Sequence, residues 1–211
     1  DGFAEMLDSG IACDVELCNY DLTNRIKTRS IVQNRTQDTK LNALWRQFFF
    51  PIGMSHAGMY VYYQKRYWLI ENCVDNNGTC DKAIAIICNH KLSWINANGK
   101  IISRWASIMS ASQYNNGQLK DRNYHYVLRT DQQMITMPND DDCLLLNEES
   151  RFIIDRRCQV YEHNMKAKET NTKFPLITYI LTRNDGVAYD YITEGIHEIM
   201  VTQDEQHEND G

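Results

Sequence analysis

The stretch CNHKLSWINANGKII, Cys88 to Ile102, sets Cys88 and His90 one residue apart, in a region that already holds Cys73 and Cys80. Two chemistries need such residue types. Structural zinc needs four ligands, which are ordinarily paired as C-x2-4-C knuckles so that one turn presents two thiolates. The order Cys73-x6-Cys80-x7-Cys88-x-His90 contains no such pair, so the spacing speaks against a metal site. A nucleophilic thiol needs a lowered pKa and an oriented base. Cys88 falls inside an apolar alternating run, where a cysteine is ordinarily a small buried hydrophobe.

The second group is acidic: Asp140, Asp141 and Asp142, with Glu148 and Glu149 close behind. Oxygen ligands for a cation are spaced as D-x-D-x-D-G, whereas consecutive aspartates point in different directions, so a solvated loop is expected. No Gly-rich phosphate loop, Walker-type lysine or G-x-S-x-G elbow occurs. No cofactor and no catalytic residue is expected.

The elements that position these residues read as strands. In KAIAIICNHKLSWI, every second residue places Ile84, Ile86, Cys88, His90, Leu92 and Trp94 on one face. NANG then turns the chain at Asn98 and Gly99, and KIISRWASIM returns as the partner, so residues 82–109 read as one long hairpin. Upstream, MYVYY and YWLIENCV flank the polar QKR as two strands around a tight turn. Short strands with turns every ten residues or so continue through YHYVLRT, MITMP, RFIID and LITYILTR. The expected fold is mainly β: an antiparallel β-barrel or sandwich core with an extended N-terminal arm and loop insertions. FAEMLDSG reads as one or two helical turns stopped by Gly10. The expected boundaries are an arm over 1–40, a barrel-like core over 41–200 and an acidic tail over 201–211.

Bulk properties narrow the classes. The chain has 211 residues, 43% hydrophobic and 24% charged, as in an ordinary soluble globular protein. A net charge of -6 argues against a surface built to neutralise a phosphate backbone. No apolar run approaches the roughly 20 residues of a membrane helix. Seven scattered cysteines argue for reduced thiols rather than a disulfide framework. The first residue is Asp1, so a processed leader is one reading of the start.

The order of pieces carries a resemblance. GMYVYYQKRYWLIENCVDNNGTCDKAIAIICNHKLSWINANGKII, then SASQYNNG, then PNDDDCLLLNEESRFIID, resembles neck, or head-tail connector, proteins of tailed bacteriophages, of the head-closure (stopper) type. In that pattern a YWLI strand leads to a C..LKW.d..G.i hairpin and a later RFIID strand. His90 to Trp94 and Asn98-Gly99 match the hairpin, with Ser93 where a basic residue is expected. The likeness covers about residues 58–160. It implies a non-enzymatic virion protein, made in the host cytoplasm, that forms a homo-oligomeric ring. Portal or adaptor would lie on the head side and tail terminator or tail protein on the other. Packaged DNA would pass with only passive contact, and no membrane would be involved. An acidic wall suits such a channel, so Asn139, Asp140, Asp141 and Asp142, or the loop around 115–121, are the expected channel-facing residues. The polar arm would lay strands on neighbouring subunits. Other readings are a different tail-proximal protein (adaptor or tail terminator), a monomeric small-barrel binding module, or an enzyme using Cys88 and His90.

Overall fold

The structure is a computed structural model. It describes residues 2–34, 44–76, 78–96, 98–110, 132–143, 151–154, 157–162 and 176–183. The loop at 115–121 and the tail at 201–211 lie outside the described residues.

A short helix, α1 (Gly2–Asp8), precedes six strands: β1 (Cys13–Cys18), β2 (Arg25–Asn34), β3 (Trp45–Phe50), β4 (Tyr60–Tyr63), β5 (Arg66–Asn76) and β6 (Cys80–Ile87). They close into an antiparallel barrel in the order β1-β2-β3-β6-β5-β4, with β4 pairing back onto β1. Two three-stranded meanders are thus joined along two seams. Alternation turns Val15, Leu17, Phe48, Phe50, Val61, Trp68, Ile70, Ala83, Ala85 and Ile87 inward as one apolar cluster. Large faces small across the ladder: Phe48 lies opposite Ala83, and Ile70 opposite Ala85. Such complementarity fills a narrow barrel without a void.

The residues expected to form an arm are two of the barrel's staves. Of their isolated apolar residues, Val15, Leu17 and Val32 join the barrel core, with Val15 and Leu17 buried. Their polar residues pair across the ladder: Asp14 with Arg29, and Glu16 with Lys27. Opposite charges facing one another on the outer side of a strand pair explain a composition that otherwise suggests a strand for a neighbour. Residues 13–34 are therefore committed within their own chain. The helix expected at the start forms, and packs Phe3 and Leu7 against Ala12, Ile31, Phe49 and Cys80.

The turn between β4 and β5 is as tight as QKR suggests. Gln64 and Lys65 both take positive φ, 51° and 59°, the geometry of a type I′ hairpin that favours Asn-Gly. The double substitution Gln64→Asn with Lys65→Gly is expected to raise stability by about 1 kcal/mol, because side chains in this region cost free energy that glycine avoids. The measurement is the urea midpoint.

A second sheet follows: β7 (His90–Ile95), β8 (Ile101–Ser110), β9 (Gln132–Pro138), β10 (Arg151–Ile154), β11 (Arg157–Glu162) and β12 (Leu176–Arg183). Its order is β10-β11-β12-β9-β8-β7, antiparallel throughout. The mainly β class is as expected, and the architecture is a barrel with an added sheet.

The expected long strand over 83–95 is divided at the joint between these units. Backbone N–H groups change partner residue by residue: Ile87 donates to Leu44, Cys88 to Tyr67 of β5, and Asn89 to Ala106 of β8, at 2.9, 2.9 and 3.1 Å. The Asn89 side-chain amide prolongs the β7–β8 ladder, donating to the Ile108 carbonyl and accepting from the Ile108 N–H at 2.8 Å each. The units share an apolar interface in which Cys18, Trp45, Tyr60, Leu69, Ile86 and Cys88 meet Trp105, Met109 and Met134. The Tyr60 hydroxyl crosses it to donate to the Trp105 carbonyl at 2.6 Å.

Candidate functional site

The reactive pair is separated by that joint. Cys88 is 5% exposed and belongs to the barrel–sheet interface, whereas Leu92 and Trp94 belong to the apolar core of the second sheet. His90 is half-buried and stands opposite Ala106 at the start of β7. Burial pushes the Cys88 thiol well above its ordinary range, because a thiolate there would be desolvated. That shift is the reverse of what a nucleophile needs. Cys73 lines the barrel beside Ser55, Cys80 packs under α1, and Cys88 sits at the joint, so the three thiols occupy separate clusters. Among the described residues no group of three or more His, Cys, Asp or Glu is placed to hold a metal ion.

Thiol burial gives two measurable outcomes. With N-ethylmaleimide at neutral pH, half-buried Cys13 and Cys73 are expected to react first, and Cys88 only after denaturation, as read by peptide mass mapping. The second outcome concerns alkali. Burial raises Cys88, Cys143 and Tyr60, so all three stay neutral in the fold while the unfolded chain ionises. Their contribution to stability is complete below the unfolded values and shrinks as pH rises. Above about pH 9 the thiols, and above about pH 10 the phenol, each remove roughly 1.4 kcal/mol per pH unit. The urea midpoint at about pH 10.5 should therefore fall well below that at about pH 8.

The acidic turn is not the solvated loop expected from its composition. Asp140 is buried against Arg104 of β8: the guanidinium Nε lies 2.8 Å from Asp140 Oδ2, with the side chains 6% and 8% exposed. The other carboxylate oxygen, Oδ1, accepts from the backbone N–H groups of Asp142 and Cys143 at 2.9 and 3.3 Å, bending the chain into a turn. Asp142, 30% exposed, lies 3.5 Å from a second Arg104 nitrogen. A buried guanidinium demands such acceptors, since an unpaired charge out of water is costly. Of the three aspartates only Asp141 is exposed, and Asn139 is half-buried.

The hairpin and the acidic turn, about 45 residues apart in sequence, come together. The Trp94 indole N–H donates to the Asp142 carbonyl at 3.2 Å, and the Asn96 side-chain amide to Asp142 Oδ1 at 3.1 Å. Asn98 and Gly99 form the expected turn, with Gly99 at φ 74°. Its organiser is Asn96, whose Oδ1 accepts from the N–H groups of Asn98 and Lys100 at 3.0 Å each. Arg104, Asn96 and Tyr20 were not among the residues singled out from sequence. A signal existed for Arg104, which interrupts the apolar series Ile102, Ala106, Ile108 on the inward face of β8. The Tyr20 ring, in the turn between β1 and β2, covers the same guanidinium at 5.2 Å.

An aromatic and cationic patch lies on the barrel's outer wall. Tyr67 sits between Tyr62 and Trp105, at 4.9 and 5.1 Å, and its hydroxyl accepts from Arg25 at 2.9 Å. Glu16 pairs with the same Arg25 at 3.5 Å. The rings lean on one another, tilted by 49° and 31°, rather than forming a flat open platform for bases. No protein-family model, curated protein or solved structure matches this chain.

Proposed function

We propose that the chain is a non-enzymatic structural protein of a tailed-phage neck, forming a ring that joins portal and head to the tail and helps close the DNA channel. The reading rests on the likeness of the 58–160 stretch to head-closure proteins, and the observation that carries it further is the fate of the chemically capable groups. Cys88 is spent on the joint, Asp140 on a buried ion pair and Asp142 on the hairpin, which leaves a pinned scaffold for docking onto other proteins. On this reading the 139–142 turn acts as an acidic rim, with Asp141 as the carboxylate offered to the channel. Portal or adaptor binds on the head side and tail terminator or tail protein on the other.

The test is to mix the purified chain with the portal of its own particle and to examine the product by mass photometry and negative-stain imaging. Rings stacked on the portal are expected. A chain that stays monomeric with and without portal would overturn the proposal in favour of a small-barrel binding module. A ring that presents Asp141 to the outside would remove the rim role alone.

A further inference from the structure

We infer that Arg104 is a latch, through which the barrel's β1–β2 turn controls whether the acidic turn 139–143 is closed. Three elements converge on this one guanidinium. The sheet supplies Arg104 itself, the acidic turn supplies Asp140 and Asp142 at 2.8 and 3.5 Å, and the barrel supplies the Tyr20 ring at 5.2 Å. Within the described residues the backbone passes from barrel to sheet once, at Cys88–Asn89, so Tyr20 reaches the acidic turn only through space.

Each contact depends on the others for a physical reason. The ring shields the cation from water and faces it with the negative side of its quadrupole, which strengthens the ion pair beneath. The ion pair holds Asp140, whose second oxygen holds the backbone of Asp142 and Cys143. When the ring leaves, water reaches the guanidinium, the pair weakens and the turn opens more often. Tyr20 is 44% exposed, so a partner that grips it can draw it away. Engagement of the barrel turn is thereby transmitted to Asp141 and to the hairpin tip bound at Asp142. The latch is a property of the single chain and stands or falls apart from ring formation.

Cys143 reports the state of the latch, since its thiol is fully buried behind Asp140, 3.5 Å from Oδ2. Cys80, buried under α1 and away from the latch, is the control for opening elsewhere in the fold. The full chain is labelled with N-ethylmaleimide under native conditions and both peptides are quantified. Tyr20→Ala is expected to speed Cys143 labelling by about three-fold or more, from the size of an ordinary cation–π contact, with Cys80 unchanged. Tyr20→Phe, which keeps the ring, retains the native rate. In an Arg104→Met background, Tyr20→Ala adds nothing further. Unchanged Cys143 labelling in Tyr20→Ala, an equal acceleration in the Arg104→Met background, or Cys80 rising in step with Cys143 would each overturn the latch. Should the Arg104 variant not fold, amide exchange at Asp142 and Cys143 decides between Tyr20→Ala and Tyr20→Phe. Faster exchange in the alanine variant alone supports the latch, and equal exchange in the two overturns it.

Discussion

Asp140→Ala is expected to lower the unfolding free energy by about 3–5 kcal/mol, the range found when one partner is removed from a buried ion pair. Urea denaturation at neutral pH measures it. Most of the loss comes from what stays behind: Arg104 remains charged and nearly covered, with the longer contact to Asp142 in place of the short ion pair. Asp140 also holds two backbone N–H groups, which lose their acceptor in the same step. Asp141→Ala, one residue along, should change stability by less than about 0.5 kcal/mol, because Asp141 is exposed. The contrast between adjacent aspartates is the informative result. Equal small effects at both would mean that the turn is solvated after all. Replacing both members, as in Asp140→Leu with Arg104→Met, should recover much of the loss, since a paired buried charge gains little over apolar packing.

Phe48→Ala is expected to cost about 3–5 kcal/mol as well, by a different mechanism. Phe48 is fully buried inside the barrel, stacked with Phe50 at 6.2 Å and edge-on to Tyr63 and Trp68 at 5.9 and 6.2 Å. Its ladder neighbour Ala83 is too small to fill the vacated space. A closed barrel cannot contract to fill it either, because every strand is held on both sides. Phe48→Leu, which restores much of the volume, should cost distinctly less. The two substitutions, followed by urea denaturation, separate cavity formation from loss of the aromatic edge contacts.

Strand content was legible wherever alternation ran unbroken, as in YWLI and IISRWASIM, because a half-buried strand imposes its period on the sequence. The staves β1 and β2 were hidden because their outward residues are charged in both signs. A segment that pairs Asp14 with Arg29 looks in one dimension like any polar arm. The break at Cys88 was hidden for the opposite reason: alternation continues across it, while the change of hydrogen-bond partner leaves no mark on residue types. Of the candidate site, the Asn98-Gly99 turn was legible from composition. The role of Asp140 was not, since whether a carboxylate is solvated or buried depends on Arg104, 36 residues away. A lone arginine at an inward strand position is the clue that reaches furthest, because a buried guanidinium obliges an acidic partner to exist somewhere in the fold.

The residue-by-residue handover at Cys88–Asn89 also bears on how the chain is made. All six staves lie before that point, and among the described residues the barrel borrows no strand from beyond it. On a ribosome, where chains emerge from the N-terminus, the barrel can close before β7 exists. Trp45, Tyr60, Leu69 and Ile86 then form a finished apolar platform, and the later strands assemble against it rather than with it. Cys88, whose N–H is already claimed by Tyr67, fixes the place and direction in which the second sheet begins to grow.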